Sequence, residues 1–151
     1  MRRPAFNLIT LVIYTCAVVM LTGIALYGAN EYLTTSKIAD TKSTVANYAT
    51  AVSQYRFEIG EYPDNLTELT KKGNKDVDGN DASHFGPWLN KIEKDAWDKD
   101  FVYETLKTGG DETGFVIYSK GSDNKGIFSN NEFKNGAIGI IAVSYTHLTL
   151  P

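Results

Sequence analysis

Two acids and a pair of adjacent amides lie in one glycine-bearing loop near the end of the sequence. The loop is segment 119–133, SKGSDNKGIFSNNEF, in which Asp123 and Glu132 are the acids and Asn130 and Asn131 are adjacent amides. Calcium binds several oxygen atoms from carboxylates, amides and backbone carbonyls, at about 2.3–2.6 Å. A loop with two acids and spare carbonyl groups can provide such oxygens. An ordinary polar loop would have the same composition, and the residues alone leave both interpretations open.

The other acidic loop, residues 74–85, begins like an EF-hand calcium loop but does not complete the pattern. Asp76 and Asp78 precede Gly79, as in the first half of that motif. Phe85 stands at the twelfth position, where an EF-hand has a bidentate glutamate. Because half a ligand set binds calcium poorly, we expect a solvated acidic turn here.

The sequence contains no recognisable set of catalytic residues. His84 is the only histidine apart from His147, and one histidine builds neither a zinc site nor a nucleophile–base pair without a partner. Cys16 is the only cysteine, and it lies within an apolar segment, where a packing role is expected. We find no phosphate-binding glycine loop and no Ser/His/Asp set. We therefore expect a protein that is not an enzyme.

The elements that must position the loop begin with one long helix, predicted over most of residues 1–60. Residues 6–30 carry no charge and are long enough to span a bilayer, which takes about 20 apolar residues. Residues 31–60 are predicted to form an amphipathic half, and Gly60 followed by Pro63 is a strong stop signal. The apolar stripe of this half, with alternating spacings of three and four, comprises Ile38, Thr41, Val45, Tyr48, Val52, Tyr55 and Ile59.

The charges predict an orientation in the membrane. Arg2 and Arg3 precede the apolar segment and all 18 acidic residues follow it, so the positive-inside rule places the N-terminus in the cytoplasm and the rest outside. The chain has a net charge of −3 and no basic cluster, which argues against a nucleic acid partner. A cleaved secretory signal is the alternative for the apolar segment.

The part that follows the apolar segment is predicted to be a small two-layer α+β head. Asp64 or Asn65 caps a short second helix. Two β-rich runs, residues 101–106 and 115–119, form a hairpin whose sheet packs on the stripe of the long helix. Residues 136–142, GAIGIIA, are an edge strand or the start of further sequence. With one cysteine, no disulfide forms within the chain, so a metal or a neighbouring subunit is expected to help hold the head.

The N-terminal segment resembles that of the type IV pilin-like superfamily. Residues 1–6, MRRPAF, supply a short basic leader, a small residue and a phenylalanine ahead of an apolar helix. The resemblance implies that prepilin peptidase removes residues 1–5, cutting between Ala5 and Phe6, and that Phe6 becomes the N-methylated first residue. Thr10 stands at the assembly position, where the family has a glutamate that is thought to neutralise the N-terminal amine of a neighbouring subunit.

Two further segments are similar to the major pseudopilins of type II secretion systems, which belong to that superfamily. Residues 54–70, QYRFEIGEYPDNLTELT, match the junction at which the long helix ends in a Gly-x-Tyr-Pro turn. Residues 86–103, GPWLNKIEKDAWDKDFVY, match a Gly-Pro-aromatic-Leu segment followed by Lys-Asp-Pro-Trp and an aromatic strand. This sequence has Ala96 in place of that proline, and Asp-Lys-Asp at residues 98–100 replaces a Gly-Asn-Pro turn.

The same resemblance implies calcium in the loop 119–133. Asp123 matches the first acidic ligand of the family's calcium loop. Glu132, with Asn130 and Asn131 beside it, falls near the second acid. The calcium ion would lock this loop.

The resemblance implies a structural subunit of a type II secretion pseudopilus with a pilin-like α+β fold. Such a subunit spans the inner membrane once, with a cytoplasmic N-terminus and a periplasmic or extracellular head, before it enters a filament that helps export folded proteins. Its partners would be copies of itself, minor pseudopilins, the inner-membrane secretion platform and prepilin peptidase. The alternatives are a type IV or competence pilus subunit and a signal-anchored extracellular binding domain.

The expected organisation has four parts: a leader at 1–5, the transmembrane half of the helix at 6–30, the head at 31–142 and a tail at 143–151. The tail, VSYTHLTLP, looks like the translation of a transposase sequencing adapter. We therefore expect it to be non-native, so that His147 is not a ligand and the true C-terminus is missing.

Overall fold

The computed structural model describes residues 8–143, apart from the side chains of residues 24–28 and 30. One helix, α1, spans Leu8–Ile59 and is followed by a short 3-10 helix and five strands. The chain divides into two units at the boundary between Lys37 and Ile38.

Two of the sequence-based predictions concern residues that the structure does not describe. The predicted leader, with cleavage and methylation at Ala5 and Phe6, lies outside the described residues. So do residues 144–151 of the predicted tail.

In the first unit, the side chains of residues 8–23 are all exposed, including Thr10. No helix within the described residues has a stretch that is long and apolar enough to cross a membrane. The large apolar side chains that are exposed on this part of α1 are Leu8, Ile9, Leu11, Val12, Ile13, Tyr14, Val18, Val19, Met20 and Leu21.

In the second unit, the apolar stripe of α1 faces the core, as predicted. Val45, Tyr48, Val52 and Ile59 are buried, and Thr41 is buried with them. The period of 3.6 residues per turn places these positions on one side of the helix. The prediction of an amphipathic half is therefore confirmed.

The helix ends where Gly60 takes a left-handed conformation. Its φ is +98°, and its amide donates to the carbonyl oxygen of Arg56 at 2.9 Å. A Cβ atom at this position would lie 2.4 Å from Cγ1 of Val77. Only glycine meets both requirements without strain, which explains the stop signal in the sequence.

The predicted second helix is a 3-10 helix at Leu66–Thr70. Its N-cap is Asn65, whose side chain accepts a hydrogen bond from the amide of Thr67 at 3.1 Å. Leu66 and Leu69 face inward and are buried.

The predicted hairpin is formed by β1 (Val102–Thr108) and β2 (Asp111–Ser119), which pair antiparallel. The strands are longer and the turn is shorter than predicted, because only Gly109 and Gly110 lie between them. Both glycines have positive φ, as a two-residue hairpin turn requires.

A third strand, β5 (Ile138–Val143), pairs antiparallel with β2, so the sheet order is β1-β2-β5. The edge strand that the sequence suggests at residues 136–142 is therefore present. Val143, the first residue of the predicted tail, pairs with Gly114. A Cβ atom at Gly114 would lie 2.3 Å from the carbonyl oxygen of Ala142, so glycine permits this close pairing.

Two short strands, β3 (Ile127–Ser129) and β4 (Glu132–Lys134), form a separate antiparallel hairpin. Its turn consists of Asn130 and Asn131. Phe128 and Phe133 pair across it, with ring centroids 5.2 Å apart.

The core of the second unit joins α1, the 3-10 helix and the three-stranded sheet. Tyr48 contacts Phe101 edge to face at 5.3 Å between ring centroids, and Tyr62 contacts Phe115 at 5.6 Å. This is the two-layer α+β arrangement that the sequence predicts. The buried core residues are Val45, Tyr48, Ala51, Val52, Tyr62, Leu66, Leu69, Phe101, Phe115 and Ile117.

Candidate functional site

Two buried side chains of α1, Tyr48 and Thr41, bind the backbone of residues 93–96, the segment that precedes β1. The hydroxyl of Tyr48 donates to the carbonyl oxygen of Glu93 at 2.9 Å and accepts from the Glu93 amide at 2.6 Å. The Oγ1 atom of Thr41 accepts a longer bond, 3.4 Å, from the Ala96 amide. Burial raises the pKa of Tyr48, so the phenol keeps the proton that it donates.

Asp95 organises the turn that follows. The residue is buried, with 6% of its surface exposed. Its Oδ1 atom accepts hydrogen bonds from the amides of Trp97, at 3.0 Å, and Lys99, at 2.8 Å. Its Oδ2 atom accepts a bond of 2.5 Å from the Oγ atom of Ser119, at the end of β2. One carboxylate thus joins the turn at 95–99 to the start of the loop.

The loop leaves β2 through Ser119 and Gly121. The Oγ atom of Ser119 accepts a hydrogen bond of 3.0 Å from the Gly121 amide, in addition to donating to Asp95. Gly121 is buried and has a φ of +74°. A Cβ atom there would lie 2.6 Å from the carbonyl oxygen of Gly136, so the close approach of the two backbones also requires glycine.

Lys99 brings a positive charge to this loop. Its Nζ atom donates to the carbonyl oxygens of Gly121, at 3.0 Å, and Ser122, at 2.9 Å. The side chain is half-buried. Two successive carbonyl groups therefore point at one ammonium group.

Asp123 lies in the exposed part of the loop. Its Oδ1 atom accepts a hydrogen bond of 3.2 Å from the Lys125 amide, as in a turn in which the side chain caps its own backbone. The loop closes with the Gly126 amide, which donates to the carbonyl oxygen of Lys120 at 2.9 Å.

Asn130 and Asn131 are the two central residues of the β3–β4 turn. Their φ values are +53° and +60°, the left-handed conformation that a two-residue turn of this type needs and that asparagine tolerates. Glu132 is the first residue of β4 and pairs with Ser129. All three predicted ligands are exposed.

The chain matches the family described as type II secretion system (T2SS), protein G, over residues 29–134. The matched region contains the second half of α1, the turn at 95–99, the loop and the β3–β4 hairpin. The chain belongs to this family. The resemblance to the major pseudopilins is therefore confirmed, and the protein is a structural subunit rather than an enzyme. No curated protein matches the chain.

The structure distributes the predicted calcium ligands of this pseudopilin over two local structures. Asp123 belongs to a turn that starts at Gly121, whereas Asn130, Asn131 and Glu132 belong to the end of a hairpin. In the part of the chain that the structure describes, no group of three or more acidic, histidine or cysteine side chains is placed to hold a metal ion. Calcium binding by these residues remains a prediction.

The other acidic loop of the pseudopilin is a self-contained turn. The carboxylate of Asp76 accepts from the backbone amide of Asn80 at 2.7 Å and from its side-chain amide at 2.9 Å. These bonds lower the pKa of Asp76, with the Asn80 side chain as the largest cause. His84 is exposed, and its ring contacts that of Phe85 at an angle of 41°, with ring centroids 4.0 Å apart. The bonds within the loop agree with the acidic turn that we expected here.

Lys99 is the residue of the site that sequence reasoning missed. The signal was present, because Asp-Lys-Asp at residues 98–100 differs from the Gly-Asn-Pro turn that the resemblance implies at this place. Asp98 takes a positive φ of +61°, the left-handed conformation that glycine adopts most readily. What the departure adds is an ammonium group beside the loop.

Proposed function

We propose that this pseudopilin assembles with copies of itself, through the first part of α1, into a type II secretion pseudopilus. The observation that supports the proposal is the apolar surface of that helix in the first unit. Leu8 is 75% exposed, Ile9 is 65% exposed and Met20 is 70% exposed. A continuous exposed apolar surface is typical of contacts with lipid or with another protein. Packing between the helices of neighbouring subunits would remove it from water.

The same surface supports a membrane-anchored state before assembly. We infer that residues 6–30 hold the subunit in the inner membrane, with Arg2 and Arg3 on the cytoplasmic side and the head outside. Prepilin peptidase would then cut between Ala5 and Phe6 and leave a methylated amine on Phe6.

Thr10 changes what can hold neighbouring subunits in register. A carboxylate at this position would have to be paired inside an apolar bundle, where an unpaired charge is costly. Thr10 is exposed on α1 and carries no charge. We therefore propose that register in this filament depends on apolar packing and on the heads, and not on an ion pair with a neighbour's N-terminal amine.

The remaining partners follow from the family. Minor pseudopilins and the inner-membrane secretion platform are the expected neighbours, and folded exported proteins are the expected cargo. The family match supports secretion over a pilus or competence role, because it names the secretion system.

Assembly can be tested by placing one charge on the apolar surface. We would express the full chain together with the other components of its secretion system and measure its amount in filaments sheared from the cells. Val18→Asp is expected to abolish incorporation. Val18 is 58% exposed on the apolar surface of the single chain, and in a filament the new carboxylate would be buried between apolar helices without a partner. Ser36→Asp adds the same charge at an exposed polar position of the first unit and is the control.

The membrane fraction of each variant separates failed insertion from failed assembly. The proposal requires Val18→Asp to be lost from filaments by a factor much larger than its loss from membranes, while Ser36→Asp is retained in both. Normal incorporation of Val18→Asp would contradict it. The mass of the N-terminal peptide tests the leader separately, since cleavage predicts a methylated peptide that begins at Phe6.

A further inference from the structure

We propose that the ammonium group of Lys99 holds residues 119–126, the first part of the loop 119–133, in place of a bound metal ion. Two consecutive carbonyl oxygens, those of Gly121 and Ser122, lie 3.0 Å and 2.9 Å from its Nζ atom. Carbonyl groups that converge on one point repel each other unless a positive charge lies between them. The ammonium group supplies this charge, and bonds of this kind to a charged donor are stronger than neutral ones.

The backbone of Lys99 is fixed by two hydrogen bonds to Asp95. The Lys99 amide donates to Oδ1 of Asp95 at 2.8 Å, and its carbonyl oxygen accepts from the Asp95 amide at 2.8 Å. The same Asp95 carboxylate also binds Ser119. The loop is therefore held at two points. The Asp95 carboxylate binds Ser119 at its start, and the Lys99 ammonium group binds the carbonyl groups of Gly121 and Ser122.

The arrangement leaves little room for a divalent ion at the same carbonyls. A calcium ion that used the oxygens of Gly121 and Ser122 would have to displace the ammonium group or lie beside a like charge. Asp123, the acid nearest along the chain to these carbonyls, already accepts a bond from the Lys125 amide. Asn130 and Asn131 have a structural reason for being asparagine, in the conformation of their turn. The residues thus fit an internal ammonium better than they fit calcium.

Thermal melting of the full chain in mild detergent tests the proposal. Both tryptophans, Trp88 and Trp97, lie in the second unit, so tryptophan fluorescence reports on the head and not on the exposed first part of α1. Wild-type protein is expected to melt at the same temperature in a millimolar excess of calcium and in chelator, because a ligand raises Tm only if it binds the folded state.

Substitutions at Lys99 give the second arm. Lys99→Met keeps the aliphatic part of the side chain and removes the charge, and it is expected to lower Tm by about 5–10 °C. Lys99→Arg keeps the charge, and its Tm is expected to lie much closer to that of the wild type. Lys125→Met is the matched control, because it removes one charge from the same exposed loop, and its Tm should equal that of the wild type.

Two results would overturn the proposal. One is a wild-type Tm that rises in calcium, which would show that a metal ion and not Lys99 holds the loop. The other is a Lys99→Met variant that melts like Lys125→Met. If Lys99→Met does not fold, terbium added to the wild type decides, since a metal site in the loop predicts luminescence sensitised by Trp97 and our proposal predicts none. These outcomes do not depend on filament assembly.

Discussion

The Oδ2 atom of Asp95 accepts a hydrogen bond of 2.5 Å from the Oγ atom of Ser119, and both residues are buried. They are 24 residues apart in the chain, so the bond joins the turn at 95–99 to the end of β2. Ser119 accepts in turn from the Gly121 amide. The Ser119 hydroxyl therefore donates to the Asp95 carboxylate and accepts from the backbone of the loop.

Ser119→Ala is expected to lower the free energy of unfolding by about 2 kcal/mol, because it leaves a buried carboxylate oxygen and the Gly121 amide without their partner. Urea denaturation followed by tryptophan fluorescence measures this loss. Ser129→Ala, at an exposed position of β3, is the control and should change stability by less than about 0.5 kcal/mol. Equal effects of the two substitutions would contradict the role given to Ser119.

Asn131→Gly tests whether Asn131 acts as a turn residue or as a calcium ligand. Glycine adopts the φ of +60° that Asn131 has, so the turn role predicts that Tm stays equal or rises. Asn131→Ala removes the same amide but resists this φ, and it is expected to cost about 1 kcal/mol. The two variants should therefore differ in Tm, with or without calcium. A ligand role predicts instead that both lose any response to calcium equally.

Gly139→Ala tests the packing of the edge strand. A Cβ atom there would lie 2.5 Å from the Ile117 carbonyl oxygen and 2.5 Å from Cβ of Tyr118, so β5 has to move away from β2. We expect a loss of about 2–3 kcal/mol in urea denaturation. Gly23→Ala meets nothing within 4 Å and lies in the first unit, so the head should unfold as in the wild type. A head that tolerates Gly139→Ala equally well would argue against this register.

The local features of the fold were predictable because each has a cause that acts over a few residues. The stripe from Thr41 to Ile59 follows from helical periodicity, and the helix end follows from Gly60. The β1–β2 hairpin follows from two β-rich runs. Its turn was predicted too long, because Lys107 lies in β1 and pairs with Glu112, their charged groups 3.3 Å apart, after a register shift that composition does not indicate.

The site was less predictable because its contacts cross the chain. An asparagine in a hairpin turn and an asparagine beside a metal look alike in sequence, so Asn130 and Asn131 entered the ligand prediction. The bond from Lys99 to Gly121 spans 22 residues and depends on how the turn at 95–99 packs against β2. The departure from the family pattern at residues 98–100 marked the position, but only the three-dimensional structure shows what the lysine binds.

Tyr103→Phe is expected to stabilise the head and to make its stability less sensitive to alkaline pH. The Tyr103 hydroxyl oxygen is buried and has no hydrogen-bond partner within residues 8–143 that the structure describes. Removing it relieves the cost of an unsatisfied polar group, about 1 kcal/mol at neutral pH. Burial also raises the pKa of Tyr103, with Glu112 adding to the shift.

The sign of the pH effect follows from that shift. The folded state holds the phenol proton more tightly than the unfolded chain, whose tyrosines titrate near pH 10. The part of the stability that depends on the phenol proton of Tyr103 is therefore complete below about pH 10 and is lost as the pH rises through that value towards the higher folded pKa. Melting near pH 8 and near pH 11 should show a smaller drop in Tm for Tyr103→Phe than for the wild type. Tyr32→Phe, at a position that is 75% exposed, should drop as the wild type does, and an equal drop in all three proteins would show that burial of Tyr103 does not control the alkaline loss.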